Sequence, residues 1–173
     1  MGMDPLDVLF ARHRHGLFCY LYRMVGQPEA ARDLTQEVFL RMARTEVPDG
    51  SPAAVRAWAF TIARHLALNH LRDTRRSIQT VELTEAAEPS TSRATQETSV
   101  ALRQAIGRLA VLDRDVFLMR EAGGLSYEAI ARACDISPAA VRSRLHRART
   151  QLREILGDAF ASVRSEGGVR LKG

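Results

Sequence analysis

Five arginines lie between residues 138 and 153, in a segment that contains no aspartate or glutamate. Clustered guanidinium groups attract polyanions, and arginine can also bind a guanine base edge bidentately from the major groove. Four apolar side chains at spacings of four, three and four predict the opposite stripe of an amphipathic helix: Val141, Leu145, Ala148 and Leu152. The segment therefore predicts a helix with a basic, DNA-binding face, although an ordinary solvated face would show the same charge pattern.

A shorter helix and a tight turn are predicted immediately before this basic helix. Ser126 is placed to cap the shorter helix, Asp135 and Ile136 to turn the chain, and Ser137 to cap the basic helix. Pro138 then takes the first helical position, where its missing N–H is not needed. This order is typical of a helix-turn-helix module that binds DNA, and it favours DNA binding over a solvated face.

Histidine and cysteine side chains suggest a different chemistry, that of a metal-responsive or catalytic helical protein. His15 and Cys19 share a helix face and could supply two metal ligands, but His13 lies nearly opposite His15. His65 and His70 form a second candidate pair. The sequence shows no glycine-rich phosphate loop, paired-carboxylate helix or Ser-His-Asp pattern. We therefore expect no metal, no cofactor and no enzymatic activity.

Composition limits the class of protein and its compartment. The chain has 173 residues, of which 46% are hydrophobic, and 25 basic against 20 acidic side chains give a net charge of +5. This charge suits DNA as a partner, but it suits an acidic protein as well. The two cysteines are far apart in sequence, and no window has the length and apolarity needed to span a bilayer. We expect a soluble, cytoplasmic protein without stable membrane insertion.

Helical periodicity runs through most of the chain, and no β-type alternation of useful length is present. A polar segment rich in Thr, Ser, Glu, Ala and Pro separates two groups of helices. The sequence therefore predicts an all-α fold of two small helical domains, at residues 1–78 and 99–160. A flexible linker, residues 79–98, would join them, and a tail, residues 161–173, would follow.

Three sequence blocks together resemble the sigma-70 family of transcription initiation factors. They are DLTQEVFLRMAR (33–44), AWAFTIARHLALNHLRDTRR (57–76) and DVFLMREAGGLSYEAIARACDISPAAVRSRLHRARTQL (115–152). Their order and separation are most similar to the small extracytoplasmic-function (ECF) type, which contains only sigma domains 2 and 4. The resemblance implies a protein that binds core RNA polymerase, directs it to promoters and helps to open the minus-ten region.

The resemblance also implies a role for each block. The first block would dock on the polymerase clamp helices through Asp33, Gln36, Glu37, Leu40 and Arg41. The second would open and contact the minus-ten element through Trp58, Arg64, His65, Asn69, Arg72, Arg75 and Arg76, with Phe60 as a further ring and residues 45–54 as the loop that captures a flipped base. The third would bind the minus-thirty-five element through Ser137, Arg142, Ser143, Arg144, His146, Arg147 and Arg149, of which Arg144 and Arg149 would hold phosphates.

Alternatives stay open for single motifs and for the whole chain. The face at residues 33–41 could be an ordinary solvated surface on which Glu37 and Arg41 form an intrahelical pair. Trp58 lies on the apolar stripe of its predicted helix, which favours a place in the core over base stacking. The whole chain could instead be a stand-alone helix-turn-helix regulator, but it shows no dimerisation helix for binding paired half-sites.

The resemblance finally implies partners. Core RNA polymerase and promoter DNA would bind the chain, and an anti-sigma factor would cover its polymerase-binding and DNA-binding faces. We expect a monomer when the chain is free. His65 replaces a usual asparagine, Asn69 replaces a frequent aspartate, and Ala110-Val111 replaces a proline-containing turn. Because of these departures, the promoter sequence is not predicted.

Overall fold

The computed structural model describes the backbone of residues 5–45, 51–77 and 93–166, and the side chains of Val8 and of residues 11–45, 51–75 and 100–157. Within those ranges the chain is helical apart from short connections, which confirms the predicted all-α fold. No helix there has the length and apolarity needed to cross a membrane. The seven helices of the described chain are α1 (Pro5–Val25), α2 (Pro28–Arg44), α3 (Pro52–Ser77), α4 (Arg93–Gly107), α5 (Val111–Glu121), α6 (Tyr127–Cys134) and α7 (Pro138–Glu166).

Helices α1, α2 and α3 pack together as an N-terminal bundle. Gly26 ends α1 with a φ of +81°, a conformation that glycine adopts at no steric cost, and its N–H donates to the carbonyl of Tyr22 at 2.8 Å. Pro28 then begins α2, where a missing N–H is harmless. The buried side chains of α2 follow a helical stripe of Pro28, Ala31, Thr35, Val38 and Met42.

Helices α4 to α7 form a C-terminal bundle, in which α6 and α7 are the predicted helix-turn-helix. The Ser126 hydroxyl accepts the N–H of Ala129 at 3.1 Å, and the Ser137 hydroxyl accepts the N–H of Ala140 at 3.1 Å, so both predicted caps are confirmed. Asp135 makes the turn in the left-handed region, with φ 54° and ψ 50°. Aspartate tolerates this conformation better than most residues with a side chain.

The apolar stripe predicted for the basic helix faces the interior of the C-terminal bundle. All four of its side chains, Val141, Leu145, Ala148 and Leu152, are buried. The buried side chains of α6 include Ile130, Ala131 and Cys134, as their spacing predicts. The two helices therefore pack through these faces, which leaves the opposite face of α7 in solvent.

The two bundles also pack against each other, since α1 and α3 contact helices of the C-terminal bundle. Phe60 of α3 is fully buried, and its ring meets the Tyr20 ring edge-on at 5.5 Å. A Cβ at Gly16 would lie 2.9 Å from the carbonyl oxygen of Ala122, and a Cβ at Gly123 would lie 3.0 Å from the Phe60 ring. The sequence predicts two helical domains but gives no sign of this close contact between them.

Two helices extend beyond the limits that the sequence predicts. Helix α4 begins at Arg93, inside the predicted linker 79–98, and α7 continues to Glu166, inside the predicted tail 161–173. Residues 78–92 and 167–173 lie outside the described chain, so the predicted flexibility of the linker is not addressed there. Once a helix is nucleated, each further residue adds a backbone hydrogen bond, so a helix can extend past the boundary that a change in composition indicates.

Candidate functional site

The outward face of α7 carries the side chains predicted to recognise the minus-thirty-five element. Ser137, Arg142, Ser143, His146 and Arg147 are all exposed there, opposite the buried stripe. The Ser143 hydroxyl donates to the carbonyl of Ala139 at 3.2 Å, and Ser137 is occupied as the helix cap. The structure therefore places the predicted base-contacting residues together on one solvent-facing surface at the start of the helix.

A carboxylate that sequence reasoning missed, Asp113 of α5, organises one edge of this surface. Its Oδ1 accepts a hydrogen bond from Arg144 Nη1 at 2.6 Å, and its Oδ2 forms an ion pair with Arg147, whose Nε lies 3.0 Å away. The Asp113 side chain is only 5% exposed, whereas that of Arg147 is 59% exposed. Asp113 thus holds Arg147 by an ion pair at Nε, while more than half of the Arg147 side chain stays in solvent.

Arg149, at the other edge of the same surface, is also paired. Its Nη2 lies 2.8 Å from Glu121 Oε1, and both side chains are about half exposed. A surface pair of this kind contributes little to stability and gives way readily to a stronger anion. The phosphate contact predicted for Arg149 would therefore replace the pair with Glu121.

Four of the residues predicted for the minus-ten element share one face of α3. His65, Asn69 and Arg72 are exposed, and Trp58 is half-buried against the core. Arg72 Nη2 donates to Asn69 Oδ1 at 3.1 Å. The spacings of seven, four and three residues keep these side chains on one side of the helix. Part of the Trp58 surface therefore packs in the core and part reaches solvent.

Phe60 and Arg75, which are also predicted for this element, lie elsewhere. Phe60 is 1% exposed and packs between the bundles, so its predicted role as an accessible ring is wrong in this arrangement. Arg75 is exposed and follows Arg64 by eleven residues, about three helical turns, so it lies on the side of α3 that carries Arg64. The Arg76 side chain and residues 46–50 of the predicted base-capturing loop lie outside the described chain.

Arg64 points towards the C-terminal bundle, away from the exposed face of α3. Its Nε lies 2.6 Å from Asp115 Oδ2, and its side chain is 16% exposed against 1% for Asp115. The Tyr20 hydroxyl donates to Asp115 Oδ1 at 2.7 Å. Burial, followed by the Asp115 charge, raises the pKa of Tyr20 well above its ordinary value. The structure therefore separates Arg64 from the other predicted minus-ten contacts.

The outward face of α2 carries the side chains that are predicted to dock on the polymerase. Asp33, Gln36 and Arg41 are exposed, and Glu37 is half-buried and accepts Arg41 Nε at 2.7 Å. Leu40 is 49% exposed, and it is one of two large hydrophobic side chains in solvent among the described residues. A groove of about 750 Å³ lies beside this face, between α1 and α2.

Only two of the three candidate metal ligands of α1 lie close together. Cys19 Sγ lies 3.5 Å from His15 Nε2 on the outer side of the helix, whereas His13 is buried. Burial, together with the Arg56 and Arg12 charges, lowers the pKa of His13. No group of three or more His, Cys, Asp or Glu side chains suited to a metal occurs among the described residues. The pair on α1 is too small to hold a metal by itself.

The sequences of the two bundles match two known protein sequence families. The sigma-70 region 2 family matches residues 9–77, and the sigma-70 region 4 family matches residues 99–152. The chain belongs to the sigma-70 family. RNA polymerase sigma factor CarQ of Myxococcus xanthus is 32% identical over 166 residues, which cover 94% of this chain and 95% of CarQ. ECF RNA polymerase sigma factor SigE of Mycolicibacterium smegmatis is 31% identical over 163 residues, 90% of this chain and 63% of SigE. This sigma factor is thus of the ECF type.

Solved structures have the same fold. The sigma factor RpoE of Bartonella quintana, crystallised with the anti-sigma factor NepR, has a TM-score of 0.71 at 22% identity, over 90% of this chain and 98% of RpoE. CnrH, in complex with the cytosolic domain of CnrY, has a TM-score of 0.64 at 25% identity, over 88% of each chain. A stand-alone helix-turn-helix regulator is not favoured, because the N-terminal bundle matches sigma-70 region 2 as well.

Proposed function

We propose that this sigma factor directs core RNA polymerase to promoters through three separate surfaces. The polymerase would dock on the exposed face of α2, the minus-ten element on α3 and the minus-thirty-five element on α7. The observation that carries the proposal is the exposed basic surface at the start of α7, in a chain whose N-terminal bundle matches sigma-70 region 2. None of these three surfaces alone distinguishes a sigma factor from other DNA-binding proteins.

The docking surface on α2 is supported by an exposed apolar side chain among charges. Leu40 is flanked by Glu37 and Arg41, whose ion pair is half in solvent. An apolar centre that is desolvated on binding, with charges at its rim, is the usual anatomy of a protein interface. The surface formed by Asp33, Gln36, Glu37, Leu40 and Arg41 would therefore supply both affinity and register on the polymerase.

The DNA-binding surface on α7 is supported by its accessible donors. Arg142 and His146 are exposed on adjacent turns, and the Arg147 side chain is 59% exposed beside them. A helix that lies in the major groove contacts base edges through such residues near its N-terminus. Arg142, Ser143, His146 and Arg147 would contact bases, while Arg144 and Arg149 would exchange their carboxylate partners for phosphates.

The surface on α3 would hold the opened strand. His65, Asn69 and Arg72 are exposed beside the half-buried Trp58 ring. Moving a base out of the stack costs a few kcal/mol, which stacking and backbone contacts on the single strand can offset. Arg64 would join them only if its contact with Asp115 were released.

The mechanism requires binding and positioning but no chemical step by this chain, so we propose a non-enzymatic factor that acts in the cytoplasm with the polymerase. One similar solved structure holds the sigma factor RpoE bound to the anti-sigma factor NepR. By extension, an anti-sigma factor would regulate this chain by covering its polymerase-binding and DNA-binding surfaces.

Reconstituted transcription over a promoter library tests this function. The purified chain is mixed with core RNA polymerase, and initiation is scored on promoters in which both elements are randomised. We expect initiation that depends on the added chain and on sequence at both elements. Replacing Asp33 and Glu37 with alanine should reduce polymerase capture, whereas Arg108→Ala, an exposed change in the C-terminal bundle away from α7, should not. Tight, specific duplex binding without polymerase, and no initiation with it, would instead indicate a stand-alone regulator.

A further inference from the structure

A histidine and a cysteine lie side by side on the outer face of α1. Cys19 Sγ is 3.5 Å from His15 Nε2, and the two residues are four positions apart, about one helical turn. His15 is exposed and Cys19 is half-buried, so both side chains can be reached from solvent. The proposed contacts with polymerase and with DNA use neither residue.

The separation of these two atoms fits two ligands of a tetrahedral zinc ion. Zinc binds a cysteine sulfur at about 2.3 Å and a histidine nitrogen at about 2.0–2.1 Å. At the tetrahedral angle, these bond lengths place the sulfur and the nitrogen about 3.6 Å apart. The helix therefore already holds the two donor atoms at the separation that zinc requires, and neither side chain has to move far to bind it.

One chain supplies only half of such a site. Structural zinc sites have four protein ligands, and no group of three or more suitable side chains occurs in the part of the chain that the structure describes. His13, the remaining candidate on α1, is buried. Two chains that meet through the outer face of α1 would bring together two identical pairs, and thus the two sulfurs and two nitrogens of a complete site.

An exposed apolar side chain lies on the same face of α1. Val8 is 45% exposed, and among the described residues only Leu40 is a comparably exposed large hydrophobic side chain. Val8 precedes His15 by seven residues and Cys19 by eleven, which is close to two and three helical turns. The proposed polymerase-docking surface accounts for Leu40 but not for Val8. A second chain packed on this face would cover Val8.

We propose that zinc joins two copies of this chain through a shared site, formed by His15 and Cys19 of each copy. A twofold axis through the metal makes the two half-sites equivalent, as in most homodimers. Each Cys19 thiol releases one proton to solvent when it binds zinc, and each His15 binds as the neutral imidazole. Two thiolates and two neutral imidazoles make the zinc centre neutral, so it adds no charge beside the arginines of α1.

The dimer competes with core polymerase for one side of the N-terminal bundle. His15 lines the groove between α1 and α2, and the lining also includes Asp33 and Gln36 of the proposed docking surface. A helix packed across His15 lies about 8–10 Å from the axis of α1, so the second copy stands at the mouth of this groove. This consequence rests on the proposed function, whereas the zinc site itself does not.

Zinc titration of the purified full chain tests the shared site, with a phosphine reductant present to prevent disulfides. Light scattering after size-exclusion chromatography gives the mass, and metal analysis of the eluted protein gives its zinc content. We expect zinc chloride to convert the wild type from the mass of one chain to the mass of two, with one zinc ion per two chains. A chelator should reverse the change, and cobalt(II) should give the visible spectrum of a tetrahedral site with thiolate ligands.

Variants of the two ligands separate the zinc site from other causes of dimerisation. Cys19→Ser and His15→Gln should stay monomeric with zinc, because each removes two of the four ligands of the shared site. Cys19→His should still dimerise with zinc, since it restores a zinc ligand one turn from His15 and cannot form a disulfide. His70→Gln is the matched control, because His70 is half-buried on α3 and belongs to none of the proposed surfaces. Helical circular dichroism checks the fold of each variant, and the exposed change His15→Gln decides if Cys19→Ser unfolds.

Several results would overturn the shared site. They are a wild type that stays monomeric with zinc, a dimer that forms without zinc, zinc bound to single chains, and a Cys19→Ser protein that dimerises like the wild type. Zinc should also reduce polymerase capture by the wild type and leave capture by Cys19→Ser unchanged. Equal capture by the dimeric wild type with and without zinc would contradict the competition. A chain that captures no polymerase even without zinc would count against the proposed function, whereas the masses would still test the zinc site.

Discussion

Neutralising Asp113 tests whether this carboxylate positions the arginines of α7 for binding DNA. In Asp113→Asn the partner of Arg144 Nη1 at 2.6 Å and of Arg147 Nε at 3.0 Å loses its charge. Arg147 would then be free to rotate, and binding DNA would have to order it at a cost of about 0.5–1.5 kcal/mol. The affinity for a duplex that carries the minus-thirty-five element should fall by about 2-fold to 10-fold.

Binding to unrelated duplex should change in the opposite direction. A carboxylate about 10 Å from a phosphate repels it in water by about 0.4 kcal/mol, so its loss strengthens sequence-independent binding by about twofold. If the released Arg147 binds a DNA phosphate, the plot of log affinity against log salt concentration should become steeper by about 0.9. The combined signature is weaker specific binding, stronger non-specific binding and a steeper dependence on salt.

Fluorescence anisotropy with the polymerase-bound factor can measure all three quantities, with a specific and a scrambled duplex titrated at several salt concentrations. Glu121→Gln is the matched control: it removes one carboxylate from the same module, but its partner is Arg149. We expect this control to strengthen non-specific binding without the loss of specific affinity. A parallel decline of both affinities in Asp113→Asn, with less helical circular dichroism, would show that Asp113 only supports the fold and would refute the positioning role.

Four further outcomes are expected. Arg147→Ala should weaken binding by about 1–3 kcal/mol on promoters with a minus-thirty-five element, and equal losses on promoters without it would contradict base contact. Leu40→Asp should reduce polymerase capture while the helical circular dichroism stays unchanged, because the side chain is 49% exposed. Burial raises the pKa of Tyr20, so its contribution to stability should be complete below pH 10 and decline above it; denaturant titration of Tyr20→Phe should lack that decline. Burial and then Asp115 raise the pKa of the Cys134 thiol to about 12, so a disulfide reagent at pH 8 should label Cys19 in the folded protein and Cys134 only after denaturation.

Local features of the fold were predictable because their causes lie within a few residues of one another. Ser126 and Ser137 cap helices through N–H groups three residues ahead, and Pro28 and Pro138 begin helices for the same local reason. The buried stripe of α7 follows from a period of 3.6 residues. The order of three blocks, each a local pattern, was sufficient to indicate the sigma-70 family, and the family matches confirm it.

The sequence by itself determined the helices, their caps and the basic face of α7. The tertiary structure decided which arginines stay exposed to solvent and which pair with a carboxylate from a distant part of the chain. Asp113 is 31 residues from Arg144, and Asp115 is 51 residues from Arg64, so no short-range pattern indicates either pair. Arg64 looks like any other exposed arginine of α3 until the C-terminal bundle packs against it, and Phe60 looks accessible for the same reason. A side chain's solvation depends on what covers its helix face, and that is set by packing between distant segments.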